Sequence, residues 1–358
     1  MSEFNRLVLQ CRPGFEKEAA AEITDRAAKH AIYGYCQLKE RSGYVLFTCP
    51  ESGSALKLIE QLDFHSLIFI RQWMACGNLL ILKPEDRISQ LKTQLEAFPP
   101  CVELWAEQSD TTEGRELVTF CRKFSSALAQ HLRKSGKLRK PKANDAKRLV
   151  LFVLSGNEMY LGLAPVNNSA PWPMGIPRLK FPKQAPSRST LKLEEAWHWF
   201  IAPEEWDARI PMGGSAVDLG AAPGGWTWQL VNRSMFVTAV DNGPMNSDLM
   251  ESGQVVHAEE DAYRFVPEKR VNLMVCDVAD KPIRTANLAV NWLLNGYCKE
   301  AIFNLKLPMK QRYQETVTCL NLISDQLAEA NIRFELSAKQ LYHDREEITC
   351  SLRQLDRF

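Results

Sequence analysis

The chain has 358 residues, with 44 lysines and arginines against 43 aspartates and glutamates, 45 % hydrophobic and 24 % charged residues. This ordinary globular composition excludes a disordered, collagenous or strongly acidic chain, and at roughly 150 residues per domain the length predicts about two domains. No apolar run approaches the ~20 residues that span a bilayer, so no membrane partner is expected. The opening MSEFNRLVLQ lacks a basic start, an apolar core and a small-residue cleavage site, so no signal peptide is expected. Ten scattered cysteines without a C-x-x-C pair and six dispersed histidines give no zinc spacing. They fit reduced cysteines in the cytoplasm and no metal.

In chain order, Leu7 to Cys11 reads as a strand, Glu16 to Ala31 as a helix, Gly43 to Thr48 as a strand and Ser54 to Gln61 as a helix. Ser66 to Trp73 and Leu79 to Leu82 read as further strands, and Arg115 to Leu132 as a helix. Arg148 to Leu154 and Glu158 to Leu163 read as two strands joined at Ser155, Gly156 and Asn157. This mixture predicts an α+β N-terminal half. Within it, residues 121 to 150 hold ten basic residues and one acidic residue, Asp145. Arg133, Lys134, Lys137, Arg139, Lys140, Lys142, Lys147 and Arg148 form the densest part, the electrostatic signature of a phosphate-contacting surface. Six prolines between Pro165 and Pro186 then read as an extended connector.

Downstream the rhythm becomes strand, helix, strand. Expected strands are Ser215 to Leu219, Met235 to Val240, Val255 to Ala258, Leu273 to Asp277, Glu300 to Leu305, Ile332 to Ala338 and Ile348 to Leu352. Helical stretches such as Trp226 to Asn232 and Thr285 to Asn295 separate most of them. That alternation predicts an α/β fold with a mostly parallel, Rossmann-like sheet of seven strands, the last two forming an antiparallel hairpin at one edge.

The sharpest local signal is AVDLGAAPGGWTWQL, Ala216 to Leu230: an apolar strand, a small-residue turn and a helix start. Gly220, Ala222, Pro223, Gly224, Gly225 and Trp226 would bring backbone close to a ligand beyond the end of the strand, where Asp218 lies. The glycine spacing matches neither a dinucleotide fingerprint nor a P-loop. The next strand ends at Asp241 and the third at Glu260 and Asp261. A carboxylate at the second position can accept both hydroxyls of a ribose, and one at the third can accept from an adenine amino group. Acids in this order fit an adenosyl ligand without pyrophosphate, and S-adenosylmethionine is the natural candidate.

DLGAAPGGW resembles the first motif of the FtsJ/RrmJ-type RNA ribose 2′-O-methyltransferases. That family carries a Lys-Asp-Lys-Glu tetrad. SRSTLKLEE places Lys192 at its first position, MVCDVADKP places Asp277 at the second, IFNLKLPMK places Lys306 at the third and YHDREEITC places Glu347 at the fourth. The resemblance implies that Ser189, ahead of Lys192, and Asp277 also contact the cofactor. Glu346 adjoins Glu347; the two point to opposite faces of a strand, and the family pattern favours Glu347. A ribose hydroxyl is a weak acid, so its proton must leave as the new bond forms. Lysine serves as base only at a lowered pKa, and burial plus a second cation would lower it. Lys306 is therefore expected to be the proton acceptor and Lys192 the second cation, with Asp277 and Glu347 orienting them. Cys276 follows Val275 rather than a proline and is read as core.

The likeness extends N-terminally. CRPGFEKEAAAEI, from Cys11, is similar to the opening of RNA methyltransferases that carry an RNA-capturing module. RLVLFVLSGNEMYLGL, from Arg148, resembles the end of a THUMP domain. DNGPM, FNLKLPMK and QLYHDREE are similar to one bacterial subgroup, the large-subunit ribosomal RNA cytidine 2′-O-methyltransferases of RlmM type. The resemblance implies a ferredoxin-like region over 1–80, a THUMP-like domain over 81–165, a linker over 166–186 and the methyltransferase over 187–358. It implies ribosomal RNA as partner. The oligomeric state is not readable from the sequence, and a monomer is favoured. Arg188, Lys310 and Arg312 would extend the positive track. A catalytically silent RNA-binding or assembly factor with the same fold is the competing expectation.

Overall fold

In the computed structural model the described residues are 4–140 and 146–355. They divide into two compact units, Met1–Pro177 and Arg178–Phe358.

The first unit is built on one mixed sheet. Its elements are β1 (Arg6–Cys11), α1 (Glu16–Lys29), β2 (Tyr35–Leu38), β3 (Tyr44–Thr48), α2 (Ser54–Gln61), β4 (Ile70–Cys76), β5 (Leu80–Ile81), α3 (Arg87–Ala97), β6 (Glu103–Glu107), α4 (Thr112–Glu116), α5 (Val118–Lys134), β7 (Lys147–Val153) and β8 (Glu158–Pro165). The strand order is β2-β3-β1-β4-β8-β7-β6, with β5 beside β8. All neighbours are antiparallel except β6 and β7. Because β1 is buried on both faces, Leu7 and Leu9 fill one side while Val8 packs with Leu46, Met74, Val150 and Phe152 on the other. The strand expected from Ser66 begins only at Ile70, because Asp63 caps a short 3₁₀ turn over Phe64–Ser66.

Part of the proline-rich stretch is tied to this unit. Asn168 donates to the carbonyls of Ile59 and Leu62, and Trp73 Nε1 donates to the carbonyl of Asn168. The Met174 amide donates to Glu107 at 2.6 Å.

The second unit contains α6 (Thr190–Phe200), α7 (Trp206–Arg209), β9 (Ser215–Leu219), α8 (Gly225–Asn232), β10 (Phe236–Val240), α9 (Ser247–Glu251), β11 (Val255–Ala258), β12 (Val271–Cys276), α10 (Pro282–Leu294), β13 (Cys298–Lys306), α11 (Arg312–Glu329), β14 (Phe334–Lys339) and β15 (Glu347–Gln354). The sheet order is β11-β10-β9-β12-β13-β15-β14. The first five strands are parallel, and β15 runs antiparallel between β13 and β14. The seven strands expected from the sequence are therefore all present, as is the antiparallel pair at the edge. Leu193, Trp197, Trp226 and Leu230 from α6 and α8 cover one face of the sheet, while α10 packs on β13 and α11. Strand order reverses between β9 and β12, and ligands bind outside the carboxyl ends of strands at such a switch point.

Candidate active site

The turn after β9 is shaped by what cannot fit there. Gly220 has φ +78°, and an added Cβ would lie 2.7 Å from Val278 Cγ2. Gly224 has φ +110°, and a Cβ would collide with Leu249. At Gly225 a side chain would displace the hydroxyls of Ser187 and Ser189, which bond each other at 2.8 Å. Ser189 thus faces the start of α8, with Gly225 and the buried Trp226, across a gap that only glycine leaves. Its side chain makes no cap bond to α6. Ala222 and Pro223 are joined by a cis peptide bond.

The three strand-end acids occupy different settings. Asp218 is buried and accepts from Thr227 Oγ1 at 2.6 Å, locking β9 to α8. Burial, reinforced by Asp277 and Asp241 against that hydrogen bond, pushes its carboxyl up to about 7. Asp241 accepts the amides of Ala222 at 3.0 Å and Gly243 at 2.7 Å, one on each oxygen. Each oxygen keeps a second lone pair for a ligand. Asp261 is exposed and accepts the Tyr263 amide at 2.8 Å. Gly220, Asp241, Asp261, Tyr263, Val278 and Arg284 line a cleft of about 320 Å³ over these strand ends.

Beside the turn, four charged side chains close a ring. Lys192, in the first turn of α6, lies 3.2 Å from Asp277 Oδ2 and 2.5 Å from Glu347 Oε1. Lys306, at the end of β13, contacts Asp277 Oδ1 and lies 2.6 Å from Glu347 Oε2. The β13–β15 register sets Lys306 directly opposite Glu347. Asp277 follows β12, and its amide bonds the Leu219 carbonyl at 3.3 Å, which joins the ring to the glycine turn. The neighbouring Glu346 points outward and pairs with Arg312, so Glu347 is the ring member.

Charge alternates around this ring, and that corrects one expectation. From the sequence, burial and a second cation are expected to lower Lys306. Burial does push the ammonium down, but the Asp277 and Glu347 carboxylates outweigh it and hold Lys306 above the ordinary lysine value. The carboxylates stand between the two lysines. Burial pushes Asp277 and Glu347 up, and the two lysines more than offset it, leaving both below the usual carboxylate range. Cys276 is fully buried, and desolvation pushes its thiol up to about 12.

Polar residues that sequence reasoning does not single out support the ring. Asn304 Nδ2 donates to Asp277 Oδ1 at 2.8 Å, and Thr349 Oγ1 donates to Asn304 Oδ1 at 2.8 Å. Glu195, fully buried, accepts the amides of Tyr342 and His343 and tethers α6 to the loop before β15. Their signal in the sequence is only that polar residues interrupt otherwise apolar strands and a helix face.

Comparison with known proteins identifies the lineage. A family model described as FtsJ-like methyltransferase matches residues 185–331, which contain Lys192, Asp277 and Lys306. An RlmM ferredoxin-like domain matches residues 4–74, and the N-terminal region of ribosomal RNA large subunit methyltransferase M matches 86–165. Ribosomal RNA large subunit methyltransferase M of Stutzerimonas stutzeri is 54% identical over 98% of this chain and 100% of its own. The chain belongs to this family. The proteins of the same name from Ectopseudomonas mendocina and Cellvibrio japonicus are each 53% identical, over 98% of this chain and 99% of theirs.

Among the described residues, the basic run does not form one surface. Arg133, Lys134, Arg139 and Lys140 are exposed. Lys137 Nζ donates to the carbonyls of Glu96 and Phe98, closing the end of α3. Lys147 lies 3.5 Å from Glu60. Arg148 corrects the expectation of a phosphate contact: only 2% exposed, it bonds Glu103 and Ser169 and stacks 3.3 Å over the Trp105 ring. It faces inward because β7 is buried on both faces. Lys142 lies outside the described residues. Arg188 and Lys310 are exposed on the second unit.

Proposed function

We propose that this chain transfers a methyl group from S-adenosylmethionine to the ribose 2′-hydroxyl of a cytidine in large-subunit ribosomal RNA. The observation that carries the reading is the alternating ring of Lys192, Asp277, Lys306 and Glu347 beside a glycine turn. Methyl transfer to a hydroxyl needs a group that holds the oxygen and takes its proton; the ring offers both next to a nucleoside-sized cleft.

The residues present fit S-adenosylmethionine. Asp241 keeps a lone pair on each oxygen for a ribose diol, and Asp261 lies in the same cleft for an adenine amino group. The Gly220–Gly225 turn presents backbone, and Ser189 lies at its margin. Asp218 acts from behind, holding turn and helix together. When bound, the cofactor supplies a methyl group on a cationic sulfonium.

Lys306 Nζ is the proton acceptor in this reading. It is charged within the ring, so it gives up a proton before it receives one from the 2′-oxygen. Any further positive charge in the site favours that loss. Asp277 and Glu347 hold Lys306 from two sides, and Lys192 balances them. The first unit, with its ferredoxin-like and THUMP-like parts divided near residue 80, delivers the RNA, and Arg133, Lys134, Arg139 and Lys140 contact phosphates.

The test is label transfer from methyl-labelled S-adenosylmethionine to protein-free large-subunit ribosomal RNA, followed by alkaline hydrolysis. A 2′-O-methyl blocks the cyclic intermediate, so label in an alkali-resistant dinucleotide is expected, with cytidine on its 5′ side. Label in mononucleotides would mean base methylation and overturn the reading. RNA binding without label transfer would favour a silent assembly factor.

A further inference from the structure

A carboxyl group lies just behind the ring, and its hydrogen bonds can be counted atom by atom. Asp344 is fully buried in the loop before β15. Its Oδ2 accepts the Leu341 amide at 2.9 Å. Thr349 Oγ1 lies 3.1 Å from Oδ1 and 3.0 Å from Oδ2. The same hydroxyl lies 2.8 Å from Asn304 Oδ1, and Asn304 Nδ2 lies 2.8 Å from Asp277 Oδ1. Asn304 and Thr349 are fully buried as well.

Thr349 has one hydroxyl hydrogen and two acceptor neighbours. The Asn304 amide cannot be turned round, because its oxygen would then face the Asp277 carboxylate. Its Oδ1 therefore needs a donor, and Thr349 supplies it. The short contact between Thr349 and Asp344 then has a hydrogen only if Asp344 brings its own. An ionised Asp344 would leave two lone-pair-bearing oxygens facing each other in the interior.

We propose that Asp344 is held as the neutral acid and is a positioning residue that, through Thr349 and Asn304, fixes the Asp277 carboxylate in the ring. Three donors then point the same way, from Asp344 to Thr349, from Thr349 to Asn304 and from Asn304 to Asp277. The titratable groups that face Asp344 are Glu347, Lys192, Glu195 and the buried Cys350 thiol. Burial first, and the Glu347 and Glu195 carboxylates after it, drive its carboxyl well above the ordinary value, against the pull of Lys192 and the Leu341 amide. The inference rests on the reading of the ring as the methyl-transfer site.

The full-length chain tests it in two ways. Infrared difference spectra between wild type and Asp344→Asn at neutral pH should show the carbonyl stretch of a protonated carboxylic acid in wild type alone. In the ribosomal RNA methylation assay Asp344→Asn should stay within about threefold of wild type, since its amide donates and accepts at the same places. Thr349→Val should lower kcat about ten- to a hundredfold with little change in KM for RNA, and should shift the pH profile; Thr349→Ser should restore both. Asp344→Leu should behave like Thr349→Val, and if it does not fold the Thr349 pair still decides. Absence of the infrared band, or an Asp344→Asn variant as impaired as Thr349→Val, would overturn the proposal. An inactive wild-type chain that shows the band would overturn the functional reading while bearing out the neutral acid.

Discussion

Replacing Lys306 by methionine keeps the length of the side chain and removes its charge. The four ring members are two lysines and two carboxylates, so the intact ring is neutral and the variant carries one net negative charge. Both carboxylates are largely buried, with side-chain exposures of 17% and 7%. Stripping one partner from a buried ion pair costs about 3–5 kcal/mol. Here Lys192 still touches both carboxylates, so about 2–3 kcal/mol of stability should be lost from the second unit. With Lys306 in the proposed role of proton acceptor, kcat should fall by about 10² to 10⁴. The assay is methyl transfer at saturating cofactor and RNA, with calorimetric S-adenosylmethionine binding and thermal unfolding in parallel. Lys306→Arg separates the two effects: it restores the charge and most of the stability but accepts no proton, because arginine stays charged. A folded Lys306→Met or Lys306→Arg enzyme within about tenfold of wild-type kcat would refute the assignment of the proton acceptor.

Because the carboxylates hold Lys306 above the ordinary lysine value, kcat should climb with pH through neutrality; a flat profile in single-turnover measurements would count against a lysine base. Asp277 and Glu347 sit below the usual carboxylate range, so their stabilisation is complete above that range and is lost as pH falls through their lowered values. The raised Lys306 contributes below the ordinary lysine range, and that share is lost as pH rises through its raised value; Asp277→Asn should flatten the acid limb of unfolding free energy against pH. Gly224→Ala meets both a positive φ and Leu249, so it should lose at least ~1–2 kcal/mol and weaken cofactor binding in calorimetry. Reversing the charge of Arg133, Lys134, Arg139 and Lys140 together should flatten the salt dependence of RNA binding by roughly 0.7 for each phosphate no longer neutralised, without changing the unfolding midpoint. Arg148→Ala should do the opposite, destabilising the first unit while leaving the salt slope in place.

The second unit is more legible in the sequence than the first because its signals are strong and local. Apolar runs such as Ala216 to Leu219 are buried on both faces, and each is followed by turn residues. In the first unit β2 is an edge strand with mostly exposed side chains, so Tyr35–Leu38 has no alternation to read. Helix α3 buries only Leu91 and Leu95, and β6 is half-exposed, which hides both. The order of the ring residues can be read from the resemblance, and the strand register explains why Lys306 meets Glu347. The alternation of charge around the ring depends on side-chain placement across four elements. Arg148 illustrates the limit: within a basic run it resembles its neighbours, and only the pairing of β7 with β6 brings it over Trp105.

The antiparallel position of β15 has a consequence for synthesis. Lys192, Asp277 and Lys306 lie on segments that leave the ribosome earlier, and Glu347 opens the last strand of the sheet. Without that strand, β14 would lose its neighbour in the sheet, and the site would hold two ammonium groups and one carboxylate. The final strand thus both completes the sheet and brings the second carboxylate that balances the two lysines.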